Sequence, residues 1–339
     1  MLRCVLAASL VALPALAAAE ETAESDMNAR PRQLVIVSFD GAHDNRLWMK
    51  SLDMAKRTGA HFTYFLSCTF LITKAGDGSR YKAPGKAFGR SNVGFAQSEA
   101  EIAERVGHIW QAHLDGHDIG SHACGHFDGS DWSKADWQGE FSAFRTALEN
   151  AWTTGRVADR QPAGWQDFVK TDILGFRAPY LATSPGLVPA LKAAGFTYDA
   201  SLVSKGPATP DRRDGLPRFA LPLVPEGPSG RPVIAMDYNL FIRHSMGVEN
   251  RRESAAFEER ALTAYRQAFE AQYAGERIPL QLGFHFVEMN GGAYWRALER
   301  FLTETCKRPE VACVSYADAL KMPEVRQEPK QKKAAGAAL

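Results

Sequence analysis

The sequence lacks an excess of charge of either sign: lysine and arginine number 40, aspartate and glutamate 39. No basic stripe is present, which argues against a nucleic-acid footprint. Long apolar runs are also scarce. Only Cys4 to Ala19 is a sustained one. It is shorter than the ~20 residues that a comfortable membrane span needs, and no other stretch approaches that length. A Gly-x-Ser-x-Gly elbow is missing, which disfavours a serine hydrolase of that type. There is no internal repeat and no linker-like stretch that would split the chain.

The apolar run follows a short basic start, Met-Leu-Arg, and ends in Ala17-Ala-Ala19, a small-residue cleavage pattern with Glu20 next. Residues 1–19 therefore read as a signal peptide and the protein as exported, periplasmic or secreted. Residues 20–32 read as a flexible segment, 33–322 as the one folded domain, and 323–339 as a polar, alanine-ended disordered tail. Four cysteines remain after cleavage: Cys68, Cys124, Cys306 and Cys313. In an oxidising compartment an even count favours bridges. Cys306 and Cys313 are close in sequence. Cys68 ends an apolar strand and Cys124 lies between two histidines, so they meet if their strands are neighbours. Free buried thiols, or Cys124 as a zinc ligand, are the alternatives.

Leu34-Val-Ile-Val-Ser-Phe39 is a short β-branched apolar run of the kind that forms a buried strand. Helical spacing follows over 46–57, then a second strand over 61–66. This order suggests parallel pairing with right-handed crossovers. Further helices are expected over 98–114, 137–153, 185–194, 293–306 and 316–322. Further strands are expected at 117–121, around 171–176, and at 196–198, 233–236, 280–284 and 313–315. Residues 73–95 form a long Gly-rich loop, either a lid or a mobile segment. The expected fold class is α/β, a distorted or incomplete (β/α) barrel.

Chemistry in such barrels sits at the C-terminal ends of the strands. Asp40, His122, Arg177, Asp199, Asp237 and His285 all fall at or just beyond predicted strand ends, a pile-up of polar residues that packing does not explain. His122 and His126 stand four apart, and the glycines around them argue against a helix through the pair. A strand ending near His122 and a tight turn would bring both imidazoles to one ion, and neutral imidazole suits Zn²⁺. Bound zinc activates water and polarises a carbonyl, but a catalytic site usually has three protein ligands. Asp40 is the candidate general base. Arg177 can hold its carboxylate ionised. His285, a group that titrates near neutrality, suits a general acid.

The ordered set Ser38-Phe-Asp40, His122-x-x-x-His126, Arg177-Ala-Pro-Tyr180 and Leu282-Gly-Phe-His285 resembles the motifs of the polysaccharide deacetylases, carbohydrate esterase family 4. The resemblance spans roughly residues 33–322. It is closest to the chitin deacetylase branch, through Ser38-Phe-Asp-Gly-Ala-His-Asp44, Phe196-Thr-Tyr-Asp-Ala-Ser201, Phe284-His-Phe286 and Val314-Ser-Tyr316. It implies a metal-dependent hydrolase that removes acetyl groups from an N-acetylated polysaccharide or oligosaccharide, chitin-like or from the cell envelope. By the same resemblance Asp40 is the base, His122 and His126 are metal ligands, Arg177 tethers the base, and the Tyr180 backbone N–H serves the oxyanion. His285 is the acid. Asp237, or Asp199 in competition with it, orients that histidine.

One position departs from the pattern. The family's second aspartate, a metal ligand, is Gly41 here. Asp44, the first choice, His43 or water could take its place. Otherwise the fold serves as a catalytically silent carbohydrate-binding protein. Ser38 and Ala123 are smaller departures, at positions that bear on the surroundings of the metal. Trp48, Trp132, Trp137 and Trp295 are candidates for stacking on sugar faces, with packing as the alternative.

Overall fold

The first strand, β1 (Gln33–Gly41), is the hub of the molecule, and all but its last residue is buried. The computed structural model describes residues 30–326. The expected signal peptide and all of the expected tail beyond Arg326 lie outside that range. One edge of β1 pairs in parallel with β8 (Leu280–His285), from Val35↔Leu280 to Asp40↔His285. The other edge is shared. Its first half pairs with β9 (Val311–Val314), and Ser38 to Gly41 pair with β2 (Thr63–Leu66). A strand buried on both faces and paired on both edges must be apolar almost throughout, as this one is.

From β2 the sheet continues in parallel through β3 (Asp118–Ser121), β4 (Gly175–Phe176), β5 (Tyr198–Ser204) and β6 (Arg218–Glu226), and β7 (Arg231–Ile234) adds antiparallel to β6. The two ends of this path then meet. Ala235 N donates to Pro222 O in β6, Gly283 N in β8 donates to Ala235 O, and Met236 bridges to Gly283. A two-residue segment thus draws the curled sheet into a distorted barrel, as the sequence predicts.

Several elements differ from expectation. Strand β6 is not predicted, because Pro222 and Pro225 make it read as a loop; proline donates no ladder hydrogen bond and is unusual inside a sheet. The helices Asp237–Ser245 and Ser254–Ala274 are also unforeseen. The second carries a buried stripe including Phe257, Ala261, Leu262, Tyr265 and Phe269, diluted by alanines. Strand β4 keeps only two residues: Thr171 ends the helix Trp165–Thr171, and residues 172–174 connect the two without regular structure. The last described turn, Pro323–Arg326, is helical, with Val325 buried. At Ser98, which precedes the helix Glu99–Leu114, half of a capping box forms: Ser98 Oγ accepts from Glu101 N, whereas the Glu101 carboxylate accepts from Gln97 N.

An aromatic core fixes the base of the site. Phe39 stacks on Tyr64 and packs against Trp295, with ring centroids 5.6 Å and 4.9 Å away, and Trp48 lies 4.3 Å from Tyr64. The four tryptophans considered for sugar stacking are all buried, so packing is their role. Their indole N–H groups are the reason three of them face particular atoms: Trp48 donates to Ala42 O, Trp137 to Ser184 Oγ and Trp295 to His285 O. Both cysteine pairs, Cys68–Cys124 and Cys306–Cys313, are disulfides.

Candidate active site

Parallel register delivers four polar residues to one rim. Asp40 and His285 are direct partners at the ends of β1 and β8. Ser121 and Phe176 are partners at the ends of β3 and β4, and the next residue of each strand is His122 and Arg177. Asp40, His122, His126 and His285 line a cavity of about 220 Å³. Its remaining wall is mostly apolar: Gly41, Phe70, Val93, Phe286 and Val287, with His43.

Arg177, fully buried, organises the polar side. Its Nη1 donates to Asp40 Oδ1 (3.0 Å) and Ser38 Oγ (2.7 Å), its Nη2 to the Tyr316 hydroxyl (2.9 Å) and its Nε to Ala200 O (3.0 Å). The guanidinium also lies over the Phe65 ring, 4.6 Å from its centroid. Burial opposes ionisation of Asp40, but the charge of Arg177, helped by His285, outweighs it and holds the carboxyl below its ordinary value. Asp40 is therefore a carboxylate at neutral pH.

The backbone of the same residue fixes a histidine. Arg177 O accepts from His122 Nδ1 at 2.7 Å, so Nδ1 carries the proton and Nε2 keeps its lone pair. The His126 ring lies 5.0 Å from the His122 ring, and its Nδ1 is buried without a hydrogen-bond partner. Burial lowers both histidines, His126 to about 3, so both are neutral. Two neutral imidazoles bound to one zinc at about 2.0–2.1 Å have ring centroids about 5 Å apart. The pair fits a divalent cation. Among the described residues no set of three or more His, Cys, Asp or Glu side chains is arranged to hold one.

His285 is held by Asp237, which is fully buried. Burial alone would lower its pKa, but the Asp237 carboxylate, at 2.7 Å from Nδ1, raises it above the ordinary histidine value. Asp199, the competing orienter, is committed elsewhere, to Arg218 and Ser201.

Asp44 does not line the cavity. Its side chain caps the helix Asn45–Thr58, accepting from Arg46 N at 2.8 Å and pairing with the Arg46 guanidinium at 2.7 Å. An aspartate just before a helix is a preferred cap, and that role has taken the carboxylate expected at the ion. His43 reaches the cavity wall, with its ring stacked on Phe70 at 4.8 Å between centroids. Gly41 has φ +86°, and a Cβ built there would meet only Phe70 Cε2, at 4.0 Å. A side chain at this position would thus start in an open hollow beside the Phe70 ring. Tyr180 has φ +57°, and its ring packs against His126 at 4.6 Å between centroids.

Sequence reasoning missed Tyr316 as a ligand of Arg177 and Phe70 as the wall opposite Gly41. It also missed the polar groups behind the histidine loop. Tyr316 stood in a motif already noted; the others carry no local signal.

Among solved structures, a protein from Mycobacterium smegmatis assigned as a polysaccharide deacetylase superposes with a TM-score of 0.53 at 17% identity, covering 88% of this chain and 94% of that one. The fold is that of the polysaccharide deacetylases. Two further structures are less similar to this deacetylase-type barrel. A family 4 carbohydrate esterase from Streptomyces lividans gives a TM-score of 0.41 at 12% identity, covering 83% of this chain and 91% of its own. A peptidoglycan deacetylase from Bacillus subtilis gives 0.43 at 9%, covering 86% and 91%. The sequence itself matches no family model and no curated protein.

Proposed function

We propose that the protein is an exported hydrolase that removes acetyl groups from an N-acetylated glycan, chitin-like or from the cell envelope. The observation that carries this reading is one cavity holding an ionised Asp40, two neutral histidines with ligating nitrogens available, and a His285 kept protonatable by Asp237. The two disulfides favour an oxidising compartment.

His122 and His126 would hold a divalent ion, Zn²⁺ being the one that neutral imidazole suits. When bound, it supplies Lewis acidity and a more acidic water. The chain does the rest. Asp40 accepts the proton of the attacking water, and Arg177 keeps it ionised until then. The Tyr180 backbone N–H donates to the oxyanion as it develops. His285, held as an imidazolium by the Asp237 carboxylate at Nδ1, gives its Nε2 proton to the amine as the C–N bond breaks and is left neutral, with Nδ1–H still bonded to Asp237. The apolar wall of Phe70 and Val93 suits the acyl methyl.

Gly41 favours a second reading, a carbohydrate-binding protein without catalysis. Incubating the zinc-loaded protein with chitooligosaccharides, peptidoglycan fragments and other N-acetylated glycans separates the two. Acetate release from any of them supports the hydrolase; binding without release supports the second reading.

A further inference from the structure

The two histidines are joined by a loop that could not hold its shape alone. Ala123 and His126 both sit at positive φ, +55° and +54°, without being glycine. The loop is held from outside at nearly every backbone group. Ala123 N donates to Ser121 Oγ and Ala123 O accepts from Cys68 N. Cys124 O accepts from Thr69 Oγ1, Gly125 O from Asn92 N, and His126 O from Asn92 Nδ2.

The remaining two donors, between the histidines, end on one buried pair of side chains. Cys124 N donates to Glu140 Oε2 at 3.1 Å. Gly125 N donates to the Tyr81 hydroxyl at 2.9 Å, which in turn donates to Glu140 Oε1 at 2.7 Å. Glu140, almost wholly buried, comes from the helix Lys134–Glu149, and Tyr81 comes from the long loop before it. Neither lines the cavity. Gly125 is packed so closely that a Cβ there would stand 2.7 Å from the Tyr81 hydroxyl.

We propose that Tyr81 and Glu140 are positioning residues that set the separation of His122 and His126, and with it the affinity of the site for its ion. The inference rests on the metal reading above. Supporting groups of this kind change metal affinity by about 10–100-fold when removed. A purely structural pair would change thermal stability and leave the affinity of the folded protein untouched.

The test is calorimetric titration of Zn²⁺ into metal-free wild type, Tyr81→Phe and Glu140→Gln, well below their unfolding midpoints, together with the visible spectrum of each protein loaded with Co²⁺. Tyr81→Phe keeps the ring and removes one oxygen. Glu140→Gln keeps an oxygen for Cys124 N and is the conservative control. The expected result is zinc affinity at least tenfold weaker in Tyr81→Phe, with an altered Co²⁺ spectrum, and a smaller loss in Glu140→Gln. Equal zinc affinity and identical spectra in all three proteins overturn the clamp alone. A wild type that takes up neither metal overturns the metal reading and the clamp with it.

Discussion

Asp237 holds His285 at two atoms: Oδ2 accepts from the backbone N–H at 2.8 Å and Oδ1 from the ring Nδ1 at 2.7 Å. The first contact fixes where the strand end lies, and the second fixes the tautomer and the charge. The acid of the proposed reaction therefore depends on a residue that the chain places 48 positions earlier.

Asp237→Asn is expected to cut kcat by roughly 10²–10⁴-fold, the usual worth of a positioned acid. Its pH profile should move as well. Asp237 raises the pKa of His285, so the wild type stays active until the pH climbs through that raised value. In the variant the alkaline limb shifts to lower pH. The same sign applies to stability. The protonated His285–Asp237 pair stabilises the fold fully below the unfolded histidine value of about 6.5, and this contribution fades as the pH rises through the folded value. Rate and unfolding profiles between pH 5 and 9 check both.

Replacing Arg177 by leucine would leave Asp40 as a buried charge without its partner, and Ser38 and the Tyr316 hydroxyl without their donors. Breaking one side of a buried pair costs about 3–5 kcal/mol. Urea denaturation should show a loss in that range. Arg177→Lys keeps the charge but not the four-way fork, and should fall between the two.

Gly41→Asp places a carboxylate where the motif that the sequence resembles has its second aspartate. The hollow beside Phe70 has room for it, and aspartate tolerates positive φ better than most residues. The backbone strain should cost about 1 kcal/mol, visible as a lower unfolding midpoint. Zinc affinity should rise at least tenfold in the same protein. An unchanged affinity would mean that the carboxylate does not reach the ion.

The disulfide Cys68–Cys124 joins residues 56 apart, across the loop that carries the histidines. A loop of that length corresponds to about 4 kcal/mol in the chain-entropy account. The double variant Cys68→Ser, Cys124→Ser should lose about that much. Removing Cys306–Cys313, which spans 7, should cost less. Denaturation of both variants beside wild type gives the comparison.

Much of this arrangement was legible in the sequence, for identifiable reasons. β1, β2 and β8 are short apolar strands, and Asp40 and His285 stand out as polar residues at the ends of β1 and β8. His122 was visible through its spacing to His126, and Arg177 through its place between Phe176 and a rigid Ala-Pro. Strand β6 was hidden by its prolines, and the helix Ser254–Ala274 by its alanines. Asp44 was misleading, because an aspartate ahead of a helix reads equally as a ligand or a cap until its contacts are seen. Tyr81 and Glu140 lie 59 residues apart and meet only in the folded chain, so no spacing could reveal them.

The most direct measurement is acetate release from N-acetylglucosamine oligomers by the zinc-loaded wild type and by Asp40→Asn, which keeps the size of the side chain and removes the base. Steady release by the wild type, falling by at least 10²-fold in the variant with zinc binding retained, is the predicted result. Equal release by both proteins, or none by the wild type on any N-acetylated glycan, would contradict the account.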